Sequence, residues 1–176
     1  MIEQIVRKVT ASHKNQMTKT VSLRQYEASD KEAVWQLHVN GLNQTGSFIF
    51  DPALDADFEN IKENYLCNGG EFFVVSLNDE VIAMGALRKV DEKTAEVKRM
   101  RVKNQYQRQG IGSMMLESLI QRAKELGYKK LILDTSERQS GAKRLYEKYG
   151  FSEYKRARLN DHTIIYYELT LDIILK

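Results

Sequence analysis

The spacing of apolar residues along the chain changes repeatedly between the two-residue period of a strand and the 3.6-residue period of a helix. Alternating or continuously apolar runs, such as TVSLRQY from Thr20 and EFFVVSL from Glu71, predict strands. Seven segments are of this kind: residues 20–26, 71–77, 81–88, 94–102, 130–134, 151–158 and 163–171. Helical spacing predicts helices over residues 33–42, 55–66, 110–126 and 138–149.

Capping and turn residues mark the ends of these elements. Ser29 and Glu32 fit a capping box at the start of the first helix, which Gly41 helps to end. Asn78-Asp79-Glu80 and Asn160-Asp161 are hairpin signals. The order is one strand, two helices, three strands, a helix, a strand, a helix and two strands. It predicts an α/β fold, with a mixed, twisted, mostly antiparallel sheet of about six to seven strands and helices on both faces.

Length and composition indicate one soluble globular domain. The chain has 176 residues, of which 42% are hydrophobic and 29% charged. No apolar run approaches the roughly 18 residues of a membrane helix, and the first 20 residues are too polar for a secretory signal. The single cysteine, Cys67, excludes an internal disulfide and a multi-cysteine metal site. We therefore expect a cytoplasmic protein without a metal centre.

The net charge of +3 belongs to the N-terminal segment. Of the 27 basic and 24 acidic residues, residues 1–20 hold four and one, so the remaining 156 residues carry 23 of each sign. The bulk of the chain thus shows no bias toward nucleic acid. We expect a basic leader over residues 1–19 and a folded domain over residues 20–176. The leader fits a flexible arm, an extra strand or a cloning remnant equally well.

The segment from Arg101 to Ser113 joins a predicted strand to a predicted helix through Gly110 and Gly112. Glycine lets a ligand oxygen approach the backbone, and the first amides of a helix have no preceding carbonyl to accept their hydrogen bonds. With the helix dipole, these amides favour a diphosphate. The segment lacks the Lys-Ser or Lys-Thr of a Walker loop and the third spaced glycine of a dinucleotide fingerprint. By itself, the turn is better explained as a tight strand–helix connection.

Two motifs carry a resemblance to a known family. Gln107-Arg108-Gln109-Gly110-Ile111-Gly112 resembles the pyrophosphate-binding motif of the GNAT superfamily of acetyl-CoA-dependent N-acetyltransferases. The later segment AKRLYEKYGF, from Ala142 to Phe151, is similar to the second cofactor segment of that superfamily. Both occur in the family's order. The resemblance implies a GNAT-like domain over residues 20–176, acetyl-CoA as co-substrate, and transfer of an acetyl group to a primary amine.

The resemblance also implies where the co-substrate binds. In this superfamily the strand before the glycine motif splays from its neighbour, and the pantetheine arm bonds to its free edge, here the backbone of Met100 and Val102. The cofactor-binding residues implied by the match are Met100, Arg101, Val102, Gln107, Arg108, Gln109, Gly110, Ile111, Gly112, Ser113, Gln139 and Lys143. Gln139 stands where the family often has asparagine. Arg108, Lys103 and Lys143 fit phosphate partners, although ordinary surface charge explains each of them equally well.

An alkyl amine is almost entirely protonated at neutral pH, so the transfer requires a proton acceptor. Glu96 is the candidate base, because it lies on the strand beside the cofactor, where alternation places it on the same face as Met100 and Val102. A solvated carboxylate paired with a neighbouring cation explains Glu96 equally well. Tyr146 matches the motif tyrosine that the resemblance implies as the acid toward the departing sulfur. Its helical spacing also fits a core residue.

The acceptor is the least defined part of the prediction. Residues 41–70 hold five acidic side chains against one basic, which would favour a cationic small molecule, although a solvated helix face explains these charges more simply. A protein lysine or N-terminal acetyltransferase and a non-catalytic acyl-CoA sensor remain as alternatives. A homodimer through an edge at residues 163–171 is left open. His13, His38 and His162 are expected to be structural.

Overall fold

The computed structural model describes residues 5–8, 20–46 and 52–172. Within them, eight strands form one sheet in the order β1-β2-β3-β4-β5-β6-β8-β7. The strands are β1 (Ile5–Lys8), β2 (Thr20–Gln25), β3 (Glu71–Leu77), β4 (Glu80–Lys89), β5 (Thr94–Val102), β6 (Lys130–Ser136), β7 (Ser152–Leu159) and β8 (His162–Thr170). Only β5 and β6 pair in parallel. The predicted mixed, mostly antiparallel α/β sheet is confirmed, and its additional strand, β1, comes from the basic leader and pairs with β2.

The described residues also form four α-helices: α1 (Lys31–Asn43), α2 (Pro52–Asp55), α3 (Ile111–Glu125) and α4 (Ser140–Lys148). The prediction of one acidic helix over residues 55–66 is wrong. After α2 the chain makes a 3₁₀ turn (Ala56–Phe58) and a π turn (Lys62–Leu66). Arg99 binds the carbonyl of Leu54 and the carboxylates of Asp55 and Asp57. The chain follows these contacts rather than one helical repeat.

The entry to α1 differs from its prediction. A 3₁₀ turn (Ala28–Asp30) precedes the helix, and the Glu27 N–H donates to the Asp30 carboxylate at 2.9 Å. Arg24 holds the same carboxylate with two hydrogen bonds of 2.7 and 2.8 Å. The capping box predicted at residues 29–32 is therefore wrong: the helix entry is capped earlier in the chain, by a carboxylate that a buried ion pair keeps in place.

The sheet carries helices on both faces, as predicted. Met115 and Leu119 of α3 pack on one face, where a Cβ on Gly85 of β4 would come within 3.0 Å of both. Val34 and Leu37 of α1 belong to a second apolar cluster on the opposite face. The cluster beneath α3 also contains residues of β2, β3, β6 and β8. Apolar cores therefore pack on both faces of β4, and β5, which pairs with β4, contributes Ala95 and Val97 to the core beneath α3.

Gly41 lies in the interior of α1, so the prediction that it helps to end the helix is wrong. A Cβ at this position would stand 2.8 Å from Cδ of Arg101 on β5. An ordinary side chain would meet this distance only by displacing Arg101, because packed heavy atoms do not approach so closely. The glycine therefore lets α1 lie against β5 and leaves room for the stem of Arg101.

The two predicted hairpins form, one at Asn78-Asp79 between β3 and β4 and the other at Asn160-Asp161 between β7 and β8. The second hairpin places β7 at one edge of the sheet. Asn78 and Asp79 have φ of +49° and +66°, as a tight turn with both central residues left-handed requires. The predicted edge at residues 163–171 is wrong, because β8 pairs with β6 on one side and β7 on the other.

No helix in the described part of the chain is long and apolar enough to cross a membrane. His13, and Asp51 as one of the five acidic residues counted in segment 41–70, lie outside the described residues.

Candidate active site at the splay of two parallel strands

Strands β5 and β6 separate part-way along their length. They pair only through residues 94–96 and 130–132, although β5 continues to Val102 and β6 to Ser136. On its other side β5 stays paired with β4 as far as Val102. The predicted splay is confirmed, and it leaves one edge of β5 without a strand partner.

The free edge of β5 presents backbone groups of the residues that were expected there. The Lys103 N–H donates to the Ile82 carbonyl of β4 at 2.8 Å. Because alternate residues of a strand turn their backbone groups to opposite sides, those of Val102 and Met100 face the splay. The Val102 carbonyl accepts a hydrogen bond from Gln107 Nε2 at 3.0 Å. The edge can therefore bond to an extended ligand, and its binding of a pantetheine arm stays a prediction.

A β-bulge interrupts β5 at Arg99, whose φ is +56°. The register with β4 passes from the pair Ala86–Lys98 to the pair Met84–Arg101, so β5 has one residue more than β4 between the two pairs. A bulge of this kind re-aims the side chains on either side of it. The alternation along β5 is therefore reversed after residue 98.

The bulge changes which side chains of β5 share a face. Glu96, Lys98 and Arg101 lie on the α1 face, because the β4 partners of Lys98 and Arg101 belong to the core beneath α1. Met100 and Val102 pack against the core beneath α3. The prediction that Glu96 shares a face with Met100 and Val102 is therefore wrong, since strict alternation does not survive the extra residue.

Arg99 is buried among the acidic side chains that follow α1. Its Nη1 donates to Asp55 Oδ1 at 2.8 Å, its Nε donates to Asp57 Oδ2 at 3.0 Å, and its Nη2 also bonds to Asp57. The guanidinium lies 4.6 Å from the ring centre of Phe58, and the Tyr65 hydroxyl donates to Asp57. Burial pushes the pKa of Asp57 upward, but the hydrogen bonds and charge of Arg99 outweigh it and hold that pKa below its ordinary value. Both carboxylates are thus neutralised from within the protein.

Two cavities open at the splay. The larger, of about 630 Å³, lies between β5, the start of α3 and α4. The smaller, of about 320 Å³, lies between β5, β6, β8 and α1. Both volumes are in the range of small-molecule sites. The residues that line both cavities are Met100, Arg101, Gln139 and Tyr146. The two cavities therefore meet at these four side chains. A ligand in one cavity could there contact a ligand in the other.

The larger cavity contains the start of α3. Gly110 is the N-cap, in the left-handed conformation with φ of +83°, and no side chain caps the helix. The Met114 N–H donates to the Gly110 carbonyl at 2.9 Å, so the amides of residues 111–113 precede the first helical hydrogen bond. A Cβ on Gly110 would meet nothing within 4 Å, so its φ rather than crowding requires glycine. Such a first turn, with its helix dipole, is suited to a diphosphate.

Most of the predicted cofactor residues line the larger cavity: Met100, Arg101, Val102, Gln107, Arg108, Gly110, Gly112, Ser113 and Gln139. Gln109, Ile111 and Lys143 are not among its lining residues. Ile111 is instead a core residue, 2% exposed. Lys103, considered as a phosphate partner, pairs with Glu80 at 2.6 Å. The cofactor roles of these residues stay predictions.

Two arginines in the larger cavity were not among the predicted cofactor residues, although Arg144 belongs to the second motif, which begins at Ala142. Arg138 and Arg144 line it from the start of α4 and its exposed face. The Arg138 Nη1 donates to the carbonyl of Gly46 at 2.9 Å and so joins the end of α1 to the start of α4. Neither residue falls in the glycine motif, and only the packing of α4 against the cavity brings them near the first turn of α3.

Tyr146 stands where the two cavities meet. It is 6% exposed, and its ring centre lies 5.8 Å from that of Phe151 and 6.4 Å from that of Tyr167. Burial is the main cause that raises its pKa to about 12; Asp134 adds to the shift and Arg101 opposes it. The residue is therefore both a core side chain and a cavity wall. A hydroxyl that stays protonated at this position is able to act as an acid, and that role stays a prediction.

Two carboxylates near the junction differ in their surroundings. Glu96 is buried, accepts from Arg88 Nε at 3.0 Å, lies 3.5 Å from Lys98 Nζ, and is absent from the lining of both cavities. Asp134, near the end of β6, lines the smaller cavity and has no ion pair with a described residue. Its side chain is exposed to the cavity, but the atoms around that cavity partly desolvate the carboxylate and raise its pKa, although nearby cations oppose this shift. The role of Glu96 as base stays a prediction, and Asp134 is a second candidate.

Asp134 was missed by the sequence analysis, although a signal was present. It closes the apolar run KLILD, at the carboxyl end of a strand that pairs in parallel with β5. In α/β sheets, ligands bind outside the carboxyl ends of parallel strands. An acidic side chain at the end of such a run is therefore a site candidate as soon as the strand pairing is known.

Two histidines border the smaller cavity. His38 is buried, and its Nε2 lies 3.0 Å from Asp55 Oδ1. Burial, followed by the charges of two nearby arginines, lowers the pKa of His38 to about 3, so its imidazole is neutral at physiological pH. The Nδ1 of His162 is buried without a partner among the described residues. The described part of the chain holds no group of three His, Cys, Asp or Glu side chains able to bind a metal.

The sequence of the chain matches a family model. The model, described as the acetyltransferase (GNAT) family, matches residues 32–151, which include β5, the turn at Gly110, β6 and α4. The chain belongs to the GNAT family of acetyltransferases. The resemblance inferred from the two motifs is thereby confirmed.

Relatives of this GNAT protein agree in both sequence and structure. Human N-acetyltransferase 8 is 32% identical over 109 residues, which are 58% of this chain and 48% of that protein. This chain spans about half the length of the first curated relatives that it matches. A GNAT acetyltransferase of Staphylococcus aureus Mu50 has a TM-score of 0.79 at 25% identity, over 86% of this chain and 99% of its own. Salmonella typhimurium yncA, solved with its cofactor acetyl-CoA, shares the fold with a TM-score of 0.71 at 18% identity, over 86% and 94% of the two chains.

Proposed function

We propose that this GNAT protein transfers the acetyl group of acetyl-CoA to a primary amine of a small-molecule acceptor. The observation that carries the proposal is the meeting of two cavities at Tyr146 and Arg101. One cavity has the features of a diphosphate site, and the other is bordered by a free carboxylate. A reaction that joins a nucleotide-borne group to a second small molecule needs two such compartments with one shared wall.

The larger cavity fits acetyl-CoA by the chemistry of its lining. The first turn of α3 offers amides to the diphosphate, and the free edge of β5 offers backbone groups to the pantetheine arm. Arg108, Arg138 and Arg144 add positive charge around the same cavity. The relative yncA, whose structure contains acetyl-CoA, shares this fold. When bound, acetyl-CoA supplies the acetyl group as a thioester, whose sulfur is the leaving group.

Asp134 and Tyr146 divide the proton transfers between them. An alkyl amine is neutral in only roughly one part in two thousand at pH 7. Asp134 accepts one proton of the ammonium form, so that a neutral nitrogen bonds to the acetyl carbon, and its raised pKa makes it a stronger base than an ordinary carboxylate. The second proton that the bonded nitrogen loses passes to solvent and balances the one that is given to sulfur. Tyr146, kept protonated by its burial, donates a proton to the sulfur as the carbon–sulfur bond breaks. A backbone amide at the β5 edge is suited to bind the carbonyl oxygen as it gains charge.

The test is release of the coenzyme A thiol from acetyl-CoA across a panel of primary amines. Loss of general base catalysis typically costs about 10²–10⁴-fold in rate, so we expect Asp134→Asn to lower kcat by at least about 100-fold. Glu96→Gln is the matched control, and we expect it to change kcat less than about tenfold. The opposite ranking of the two variants would transfer the role of base to Glu96. Tyr146→Phe tests the acid in the same assay.

The other functions considered give different outcomes in the same assay. A non-catalytic sensor would bind coenzyme A, as calorimetry measures, without releasing thiol with any acceptor. A protein acetyltransferase would leave all small amines unmodified and acetylate a lysine or N-terminal peptide. Either outcome would overturn the small-molecule proposal while leaving the family membership intact.

A further inference from the structure

A guanidinium without an anionic partner stands where the two cavities meet. The Arg101 Nη1 donates to the Met100 carbonyl at 2.7 Å, and the Arg101 Nε is buried without a partner among the described residues. No carboxylate of the described part of the chain forms an ion pair with Arg101. Its neighbour on the strand, Arg99, is held by two carboxylates. Burying a cation is costly unless it is paired, so Arg101 is a binding group that lacks its anion.

A carboxylate without a cationic partner faces the same cavity. Asp134 lines the smaller cavity with Arg101, and it makes no ion pair or hydrogen bond with the described residues. The attraction between the two side chains acts at a distance: Asp134 favours the charged form of Arg101, and Arg101 favours that of Asp134. Within the described residues, this cavity therefore presents one free positive group and one free negative group to whatever enters.

Four of the five acidic residues that the sequence analysis counted for a cationic acceptor belong to the described part of the chain, and none of these four is free in the cavity. Asp55 and Asp57 are bound to Arg99, and Glu59 lies 3.7 Å from Lys31 on the surface. Glu63 is not among the residues lining the cavity. These four described residues therefore give no electrostatic argument for a polycationic substrate.

We propose that the acceptor is an amine that carries a carboxylate close to its nitrogen, as an α-amino acid does. Its carboxylate binds Arg101, and its amine approaches Asp134 and the thioester. Leu54 and Leu159 border the cavity and are 46% and 42% exposed, which suits an apolar side chain on the acceptor. The inference rests on the proposed function, because it names the substrate class of the same site.

The test uses matched acceptor sets with the full chain. L-phenylalanine, L-leucine and L-methionine are each compared with their amide and their decarboxylated amine by thiol release from acetyl-CoA. In the comparison with the amide, the amine of the amide loses its proton more easily than the amine of the amino acid does. The intrinsic reactivity of the amide therefore works against the expected preference for the amino acid. Losing one partner of a buried charge pair typically costs about 30-fold or more in affinity. We therefore expect kcat/KM to favour at least one amino acid by about 30-fold over both of its analogues.

Variants of Arg101 assign this preference to one side chain. Arg101→Met is expected to bring the amino acid within about threefold of its analogues, and Arg101→Lys to retain part of the preference. Gly41→Ala leaves the charge in place but forces the Arg101 stem to move, because its Cβ would stand 2.8 Å from Cδ. It should give an intermediate loss, and it keeps the test open if Arg101→Met fails to fold. Lys124→Met, on the exposed side of α3, is the matched control.

Each remaining outcome has a distinct meaning. Equal use of the amino acids and their decarboxylated amines would overturn the inference and leave the proposed function standing. If Arg101→Met weakened binding of coenzyme A in calorimetry and kept the acceptor preference, the side chain would belong to the cofactor and the inference would fall. If coenzyme A bound but no acceptor of any class released thiol, the proposed function would fall together with the inference.

Discussion

Replacing Arg99 by methionine removes the arginine that forms ion pairs with both Asp55 and Asp57 inside the protein. The side chains of the three residues are 8%, 13% and 12% exposed. The change deletes three charged hydrogen bonds to the two carboxylates and a fourth, of 2.7 Å, to the carbonyl of Leu54. Each carboxylate keeps one neighbour, a neutral imidazole or a tyrosine hydroxyl. Because breaking a buried ion pair costs about 3–5 kcal/mol, we expect a loss of about 3–4 kcal/mol.

The pH dependence of this loss follows from the pKa of Asp57. In the native protein that pKa is lowered, because Arg99 outweighs the effect of burial. The stabilisation is therefore complete above the ordinary aspartate pKa of about 3.9 and is lost as the pH falls through the lowered value. Without Arg99, the effect of burial, which is the largest single cause, is opposed only by the weaker effects of the Tyr65 hydroxyl and Lys98, and we expect the pKa to rise above the ordinary value. The ionised Asp57 then destabilises the variant at neutral pH, and protonation relieves this as the pH falls. The difference in the free energy of unfolding between the native protein and Arg99→Met should therefore become smaller as the pH falls.

The assay is urea unfolding at pH 7.5 and pH 5, supported by thermal melts. A loss of about 3–4 kcal/mol corresponds to a fall in Tm of about 10 °C for a domain of this size. Arg156→Met is the matched control: its partner is Glu153, the two side chains are 54% and 34% exposed, and surface pairs contribute about 1 kcal/mol or less. A loss in Arg99→Met below about 1 kcal/mol, or a gap that does not change with pH, would refute the reasoning.

Three further predictions concern stability. Desolvation by the atoms around the smaller cavity raises the pKa of Asp134, so the contribution of its carboxyl to stability is favourable at low pH and is lost as the pH rises through that pKa. Because the side chain is exposed to the cavity, the effect on stability is small: Asp134→Asn should leave Tm at pH 7.5 unchanged or slightly raised while it lowers thiol release, and a clear fall in Tm would contradict this. Gly110→Ala should cost about 1–2 kcal/mol in urea unfolding because φ is +83°, whereas Gly112→Ala, with its nearest contact at 3.5 Å, should cost less than about 0.5 kcal/mol. Gly70→Ala would place a Cβ 2.2 Å from the Leu87 carbonyl oxygen; we expect a loss of at least about 3 kcal/mol, seen as insoluble protein on expression.

The elements that the sequence predicted best are those whose signals are local. Strand β5 has its predicted bounds, residues 94–102, and the hairpin at Asn78 and Asp79 forms at its predicted turn. Alternation and left-handed turn residues act within a few positions of themselves, so the chain alone contains this information. The failed prediction of a helix over residues 55–66 is different. The partner that breaks it, Arg99, lies 42 and 44 residues away from the two aspartates that it binds.

The candidate site was predictable on its cofactor side and much less so on its acceptor side. The glycine turn before α3 is one contiguous motif, and most of its residues do line a cavity. The acceptor side is assembled from α1, β5, β6 and β8, which no single motif spans. The bulge at Arg99 left no local signal, because arginine has no preference for positive φ. Because simple alternation takes no account of the bulge, it assigned Glu96 to the wrong face. It also gave no reason to choose Asp134.

One inserted residue in β5 changes which basic side chains line the smaller cavity. In a regular strand Lys98 would face away from Arg99 and Arg101; with the bulge, all three basic side chains lie on the α1 face. Two of them have anions in reach: Arg99 binds two aspartates, and Lys98 lies 3.5 Å from Glu96. The third does not. A count of charged residues along the sequence gives an acidic region, whereas pairing each described charge with its partner leaves one guanidinium, that of Arg101, and one carboxylate, that of Asp134, in the smaller cavity. The proposal of an acceptor with a negative group beside its amine therefore rests on the few charges that remain unpaired among the described residues.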